Sequence, residues 1–364
     1  MAYTTIDDGS KNFQTATYTG TGSGFSVTNS GNSNLKPDWV WVKDRGATND
    51  HKLTDSMRLN SSNQPTLTLE SNTSAAEYDD SGEGSDATTS FNTDGFTIGT
   101  NGNYNTDGNT YVAWQWKANG GTATGSFSES GNNPAVSFQA NTAAGFSICT
   151  YTGTGGNGSF AHGLGVAPEW VIIKGRDTAT DGMVYHGANT SAPETDALTL
   201  PENSATSDNA GWWQDTAPTS SSVYIGTHDR VNTDGKLFIA YCFAPIQGYS
   251  KFGGYVGTGN ADGPFLYTGF KPAWVMIKET GATGSWHIFD NTRKVGNVSD
   301  SILYADLQNA EATSQTGNPI DILSNGFKCR GGGNDTNLDD GTYVYMAFAE
   351  HPFVSSEGVP TTAV

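Results

Sequence analysis

The sequence predicts an all-β protein built from three tandem antiparallel β-sandwich units of jelly-roll or lectin-like type. The first observation is composition: 46 of the 364 residues are Gly, and only 15% are charged. The second is the presence of 9 Trp, 15 Tyr and 17 Phe residues, whereas disordered chains contain few aromatic residues. The third is an internal repeat of roughly a hundred residues, which indicates a modular architecture. Short antiparallel strands with one wet face are typical of such a chain.

The first repeated element is a proline followed by a strand that is apolar on both faces. It begins at Pro37, Pro168 and Pro272, and each copy continues with Trp, alternating β-branched residues and a Lys. A Tyr-x-Gly-Thr-Gly motif precedes it, and the Trp follows the Tyr at positions +21, +19 and +19 in the three copies. Because strand side chains alternate between faces, such a strand is covered on both sides. We expect it at the centre of a sheet, with the Lys marking where the strand emerges into solvent.

The second repeated element is an Asp-Gly pair followed by an aromatic strand. Asp-Gly supplies the positive φ angle that a tight hairpin needs. We expect the aromatic strand to build the core with the Pro-Trp strand, in two antiparallel sheets packed face to face. No helix of any length is predicted, although Ser301 to Leu307 has the composition for one or two turns. The pairs and the ends of the strands that follow them are Asp107-Gly108 and Trp116, Asp234-Gly235 and Phe243, and Asp340-Gly341 and Phe348.

The repeat spacing also predicts the domain organisation. We expect the second and third units to pack rigidly, because only Gln247 to Gly253 separates them, and the first unit to be set apart. The segment before the second unit is rich in Gly, Ser and Asn and is predicted to be a linker with one strand at Ala135 to Phe138. The predicted parts are a leader (1–17), the first unit (18–118), the linker (119–146), the second unit (147–246), the third unit (254–350) and a tail (351–364).

The charge of the chain argues against two classes of partner. The formal net charge is −19, whereas nucleic acids and anionic membranes bind proteins through Lys and Arg. The acidity serves solubility or cation binding. No apolar run approaches membrane-spanning length, and the first residues lack the features of a signal peptide. We expect a protein made in a cytosol, without membrane insertion and without a nucleic-acid partner.

One acidic loop, at Asp79, Asp80, Glu83 and Asp86, is specific to the first unit. Two interpretations stay open at this point. The loop is either solvated, or it binds a structural divalent cation through its carboxylate oxygens. No other cofactor is expected.

Two adjacent tryptophans, Trp212 and Trp213, lie in a polar stretch of the second unit outside the repeated strands. Exposed aromatic rings are a common platform for stacking on sugars or docking on a protein. The alternative is that one or both simply cap the core. We treat the pair as the candidate ligand-binding residues.

Neither the histidines nor the cysteines show the spacing of a metal site or a disulfide framework. We expect ordinary strand histidines and free, buried thiols. The residues concerned are His51, His186 and His287, and Cys149, Cys242 and Cys329.

Several stretches resemble a repeated domain of tailed-phage structural proteins, found in phages of marine bacteria and cyanobacteria. The resemblance covers nearly the whole chain and is closest in the second and third units. Proteins of this kind are described as tail-fibre-like or virion structural proteins. The stretches are Tyr3 to Asp8, the three Pro-Trp strands, Gly248 to Gly253, and Tyr345 to Phe353.

The resemblance implies a non-enzymatic protein on the virion surface, as a tail-fibre or appendage component in host attachment. Its partners would be other virion proteins, further copies of the chain and a host surface glycan. The leader would anchor it to the particle through Tyr3, Ile6 and Phe13. Alternatives are a capsid decoration or head-fibre protein, a carbohydrate-binding module array, or a polysaccharide depolymerase with a carboxylate pair across a cleft.

Overall fold

The protein is described by a computed structural model that covers residues 3–82 and 85–361. The chain is nearly all β, as the sequence predicts, and its strand pairs are antiparallel. Three short α-helices and two 3-10 turns, Gly9–Lys11 and Pro193–Thr195, interrupt the strands. None of the helices in the described part of the chain is long and apolar enough to span a membrane.

The strands and α-helices follow in chain order. The first part holds β1 (Phe13–Thr19), β2 (Phe25–Val27), β3 (Trp39–Asp44), β4 (Lys52–Asp55), β5 (Leu67–Thr68), β6 (Tyr78–Asp79), β7 (Ser81–Gly82), β8 (Ser85–Asp86), β9 (Thr88–Phe91), β10 (Phe96–Ile98), α1 (Gly102–Asn105) and β11 (Thr110–Trp116). The middle part holds β12 (Gly125–Phe127), β13 (Val136–Asn141), β14 (Phe146–Thr152), β15 (Gly158–Ala161), β16 (Trp170–Gly175), β17 (Met183–His186), β18 (Asp196–Thr199), β19 (Ser207–Asp208), β20 (Ser222–Ile225), α2 (Asp229–Asn232) and β21 (Leu237–Phe243). The last part holds β22 (Ser250–Val256), β23 (Phe265–Tyr267), β24 (Phe270–Glu279), β25 (His287–Asp290), β26 (Leu303–Tyr304), β27 (Ile320–Leu323), β28 (Gly326–Cys329), α3 (Asn334–Asn337) and β29 (Thr342–Pro352).

Three large sheets share one strand order. The first is β1-β11-β3-β4, the second contains β14-β21-β16-β17 within eight strands, and the third is β22-β29-β24-β25-β26. Smaller sheets accompany them, in the orders β2-β10-β9, β15-β20 and β23-β28-β27. Each Pro-Trp strand therefore lies directly beside its aromatic strand, in one sheet rather than across two. The pairing register is Trp39 with Trp116, Trp170 with Phe243, and Trp274 with Phe348.

The two apolar faces of a Pro-Trp strand serve different cores. In β3, Val40 and Val42 pack with Phe96 of the small sheet, in a cluster confined to the first part of the chain. Trp39 and Trp41 point the other way, into a cluster that contains residues of all three large sheets. The strand is buried throughout because it separates these two cores. The period-two pattern predicts both faces correctly.

The three large sheets meet in the shared cluster. Trp116, Phe243 and Phe348, which occupy the same register position in their sheets, contact one another, with ring centroids 5.7–6.4 Å apart. Trp39 also stacks on Tyr241 of the second sheet at 4.3 Å. The prediction that the first unit is set apart was wrong, because its tryptophans need partners from the other sheets to be buried.

A buried ion-pair network joins the first sheet to the second. Arg58 Nε lies 2.6 Å from Asp55 Oδ2, and both side chains are inaccessible to solvent. Arg58 also reaches Glu77, whose carboxylate accepts two hydrogen bonds from Arg176 of the second sheet. Tyr241 of the second sheet donates to the same Asp55 oxygen. The nearby carboxylates Asp55 and Glu77 raise the pKa of Arg58 against the opposing effect of burial.

The third sheet meets the first through a network of the same form. Arg293 binds Asp290, and it also pairs with Glu311 at 2.6 Å. Arg45 of the first sheet pairs with that Glu311 at 2.7 Å, and Trp114 donates to Asp290. Each network buries charges only where hydrogen bonds satisfy them, as a low-dielectric site requires.

The second and third sheets meet through neutral groups instead. His186, which opposes Trp170 as Asp55 opposes Trp39, hydrogen bonds to the carbonyl of Tyr345. The backbone N–H of Thr206 also donates to the carbonyl of Thr280. Between the first and second sheets, the backbone N–H of Glu77 donates to the carbonyl of Arg176 in the same way. The contacts of the first sheet with the second, of the first with the third and of the second with the third close a ring, in which every large sheet touches both others.

Buried lysines end the Pro-Trp strands. Lys43, Lys174 and Lys278 are at most 2% exposed, so the expectation that they emerge into solvent was wrong. Each ammonium group donates to backbone carbonyls; that of Lys174, for example, reaches Thr73 O and Thr180 O. Burial lowers the pKa of all three lysines to about 8.

A buried asparagine at the end of each α-helix explains the Tyr-x-Gly-Thr-Gly motif. Asn105 accepts from Thr21 N–H and donates to the carbonyls of Ser23 and Gly99. Asn232 and Asn337 make the equivalent three bonds in the other two parts of the chain. These one-turn helices lead into the Asp-Gly turns and were not predicted. The expected turn at Ser301 to Leu307 instead contains β26.

The predicted linker and leader both contribute strands to the large sheets. In the linker, β12 and β13 add to the edge of β14 and make the second sheet eight-stranded. In the leader, β1 begins at Phe13 and pairs with β11 along its whole length. The last described residues return to the leader, where Ser356 hydrogen bonds to Asp7. Both segments belong to the folded body because their backbone groups pair with it.

Candidate binding surface

The two tryptophans predicted to bind a ligand lie in the core. Trp212 is 3% exposed and Trp213 is 1% exposed, in the cluster that also holds Tyr185 and Val223. Trp213 Nε1 donates to the carbonyl of Asp196. The expectation of an exposed stacking platform at these residues is corrected, because neither ring face is open. They cap the core, which was the alternative interpretation.

The acidic loop does not gather its described carboxylates around a common point. Asp79 accepts from the hydroxyl of Thr66, Asp80 accepts from the amide of Asn101, and Asp86 pairs with Ser81 on the β7–β8 ribbon. Burial raises the pKa of Asp80 to about 6. Among the described residues no group of three or more His, Cys, Asp or Glu is placed to hold a metal ion. Glu83 lies outside the described residues.

The three residues predicted to anchor the protein have different environments. Ile6 and Phe13 are buried within the chain itself, and Phe13 stacks on Phe348 at 5.3 Å. They are therefore not free to contact another protein, which corrects the expectation for these two. Tyr3 remains partly exposed, and its hydroxyl donates to Gly269 O and lies 3.1 Å from the hydroxyl of Tyr267.

The histidines and cysteines are packing residues. Trp41 donates to His51, and burial lowers the pKa of His51, of His287 and, to about 4, of His186. All three cysteines are free and buried, which confirms the prediction.

An exposed aromatic pair on an edge strand is the feature that sequence reasoning missed. Phe265 and Tyr267, two residues apart on β23, are 45% and 47% exposed, while Leu266 between them faces inward. The ring of Phe265 lies across β28 above Gly326, where a Cβ atom would come within 3.0 Å of it. The two rings thus spread over the outer face of the small sheet.

Positive groups flank the aromatic pair. Lys251 Nζ lies 5.5 Å from the Tyr267 ring centre and donates to the carbonyl of Tyr267. Lys328, which opposes Phe265, and Arg330 both pair with Asp262. Asp262 is largely exposed, and these cations lower its pKa. Three cations thus lie near the exposed pair Phe265 and Tyr267, in a chain whose net charge is −19.

A cleft of about 740 Å³ opens beside the β27–β28 hairpin of the same small sheet. Its walls carry Lys271, Lys294, Glu350 and the amides of Asn291 and Asn325, together with the loop that ends at Asn297. The amide of Asn297 pairs with both backbone groups of Ile322, which fixes that loop to β27. The volume is in the range of ordinary small-molecule sites.

The exposed aromatic pair and the cleft are contiguous. On the outer face, Tyr267, Gly326 and Leu323 form one row across the three strands, and Leu323 also lines the cleft. Neighbouring strands lie about 4.8 Å apart, so the row is about 10 Å long. We call this combined region, from Tyr3 and β23 to the cleft, the aromatic face. Stacking rings, ammonium groups and amides together suit a polar ligand with flat apolar patches.

An alignment of the three parts of the sequence would have revealed the exposed aromatic pair. Val27, Phe160 and Leu266 are the equivalent inward residues, paired with Phe96, Val223 and Phe327. The residues on either side are Ser26 and Thr28 in the first part, Ser159 and Ala161 in the second, and Phe265 and Tyr267 in the third.

Comparison with known proteins gives one match. A family model described as "Domain of unknown function (DUF7483)" matches residues 8–352. No curated protein and no solved structure matches the chain. The matched range includes all three large sheets, so the family is defined over the closed ring rather than over a single sheet.

Proposed function

The chain belongs to the DUF7483 family, and for it we propose a role as a non-enzymatic structural protein exposed on a tailed-phage particle. Within the particle we assign it to a tail fibre or appendage that takes part in host attachment. The support from sequence is the resemblance to tail-fibre-like proteins described above. Its partners would be other virion proteins, further copies of the chain and a glycan of the host surface.

The ring of sheets is the observation that carries this proposal. Each large sheet contacts both others through aromatic rings and buried polar groups, so the body has no hinge between parts. A rigid body with short polar loops suits a component that must withstand the outside of a cell. The outer face of the small sheet is one place where the three parts differ, since Phe265 and Tyr267 replace small residues there.

We further propose that the chain is three copies of one β-sandwich unit of the jelly-roll or lectin-like kind. Support comes from the common strand order, the common register of Trp39, Trp170 and Trp274, and the buried asparagines. On this view the ring is an internal trimer, in which one chain supplies all three copies.

Electron microscopy of labelled particles tests the location. Antibody against this chain should mark the tail or its fibres in negative-stain images of intact virions. Label confined to the head would contradict the fibre assignment and favour a capsid decoration or head-fibre protein. Absence of label from purified particles, with the chain present in the infected-cell lysate, would contradict a structural role.

A further inference from the structure

We propose that the aromatic face, in the last part of the chain, binds an acidic oligosaccharide, one that carries carboxylate or sulfate groups. The face is specific to one part of the chain, because the equivalent positions elsewhere carry Ser, Thr and Ala. It therefore does not follow from the shared scaffold. The two aromatic residues on this face therefore require an explanation other than the repeat.

The aromatic rings suit the apolar faces of sugars. The Phe265 ring lies along the sheet, because Gly326 leaves room for it, and the Tyr267 ring is exposed beside Gly269. Sugar rings present C–H groups on one face, which pack on an aromatic ring while the hydroxyl groups stay solvated. Two neighbouring rings offer two such contacts, and the hydroxyl of Tyr3 adds a hydrogen-bonding group at the rim.

The charges select an acidic ligand over a neutral one. Lys251 has no carboxylate within salt-bridge distance among the described residues, so its ammonium group is open to an anion. Lys328 pairs with Asp262, whereas Arg330 pairs with both Asp262 and Asp321, so Lys251 supplies the free positive charge beside the rings. A polyanion would be repelled by most of this acidic protein, and local cations direct it to this face.

The cleft extends the site to the length of an oligosaccharide. From Tyr267 the row of residues leads about 10 Å across the sheet to Leu323 and then into the cleft. There Lys271 pairs with Glu350 and Lys294 pairs with Asp300, so the cleft adds charged and amide hydrogen-bonding groups rather than free positive charge. The amides are those of Asn291 and Asn325. A ligand of several sugar units can therefore contact the rings and the cleft together.

Calorimetric titration of the full chain with alginate oligosaccharides, which are polyuronates, tests the proposal. We expect saturable binding that weakens as salt is added, because the charges are exposed to solvent. The double substitution Phe265→Ser with Tyr267→Ser should weaken binding by roughly tenfold or more, since it removes both stacking contacts. Phe127→Ser is the matched control: Phe127 is also exposed on an edge strand, and its loss should leave binding unchanged.

Three results would overturn the proposal. They are absence of binding at millimolar oligosaccharide, unchanged binding in the double variant, and equal binding of the neutral maltohexaose. If instead the wild-type chain self-associates in sedimentation runs and the double variant does not, the face is a contact between copies of the chain. The titration uses the isolated protein, so absence of oligosaccharide binding would not contradict the proposed location on the particle. Likewise, microscopy that contradicts this location would not contradict oligosaccharide binding.

Discussion

The hydroxyl of Tyr241 donates a 2.7 Å hydrogen bond to Asp55 Oδ2, although the two residues lie 186 positions apart on different sheets. The same oxygen binds Arg58. Trp114 and Asp290 repeat this relationship between the first and third sheets. A buried carboxylate at the edge of the aromatic core therefore sets how the first sheet is aligned with each of the other two, because only one alignment satisfies that carboxylate.

Replacement of Arg58 by Leu should destabilise the whole body. It leaves Asp55 buried without its cation and leaves Glu77 with Arg176 alone. Breaking a buried pair on one side costs about 3–5 kcal/mol of unfolding free energy. Urea denaturation followed by tryptophan fluorescence measures it. Arg230→Leu, which removes a more exposed pair with Asp181, should cost no more than about 1 kcal/mol, and equal losses in both variants would contradict the argument.

Replacement of Asn105 by Ala should also be strongly destabilising. Asn105 is completely buried, and its loss leaves Thr21 N–H and the carbonyls of Ser23 and Gly99 without the partner described. We expect a loss of about 2–4 kcal/mol, since each unsatisfied buried group costs about 1–3 kcal/mol. Asn103→Ala on the same helix is the control, with an expected change below about 0.5 kcal/mol. Similar melting temperatures for the two variants would show that the bonds contribute little.

The first Gly of the Tyr-x-Gly-Thr-Gly motif should not tolerate a side chain in the third copy, where it is Gly257. A Cβ atom at Gly257 would lie 2.2 Å from the carbonyl oxygen of Leu338, which is part of the backbone and cannot move aside. Gly257→Ala is therefore expected to lower the melting temperature by several degrees, as about 1–3 kcal/mol of overpacking does. Gly317→Ala has open space around its Cβ and serves as the control. A melting temperature of Gly257→Ala equal to that of the control would count against the close approach.

The stability of the protein should depend on the protonation of Asp306. Burial raises the pKa of this carboxyl from 3.8 to about 6, and one of its oxygens has no hydrogen-bond partner. Between these pH values the folded state holds more protons than the unfolded state, so this group's contribution to unfolding free energy falls as pH rises.

The variant Asp306→Asn removes that dependence. It should match the wild type near pH 4 and exceed it by about 1–3 kcal/mol above pH 6, since one pKa unit corresponds to about 1.4 kcal/mol. Urea midpoints across this pH range measure the difference. Exposed Asp339→Asn is the control, and a difference between Asp306→Asn and wild type that stays constant with pH would refute the assignment.

Local patterns predict the Pro-Trp and aromatic strands, because strands record which side chains face a core. They did not predict that the two strands pair side by side in one sheet. The alternation at Trp39 to Val42 identifies a strand apolar on both sides, and the structure has it between two cores. The pattern does not identify what covers each face. Contacts such as Trp39 with Tyr241 depend on the placement of whole sheets, so the relation of the first part to the others could not be inferred from the pattern.

The candidate site was harder to predict, because exposure is a property of the fold rather than of residue type. Trp212 and Trp213 stand in a polar stretch, yet the polar residues around them form a loop that folds over the core. Phe265 and Tyr267 belong to an apolar-looking strand, yet they face outward. Comparison of equivalent positions, rather than a search for isolated aromatic residues, distinguishes the two cases.

The closed ring has a consequence for how this protein comes apart. A linear array of modules can lose its terminal module first, because that module has one neighbour. Here the first and last sheets hold each other through Arg45 and Glu311, so no terminal module exists. Loss of any one sheet exposes tryptophan or phenylalanine surfaces on both remaining sheets. The 364-residue chain should therefore melt in a single cooperative step, with a calorimetric enthalpy equal to the van't Hoff enthalpy.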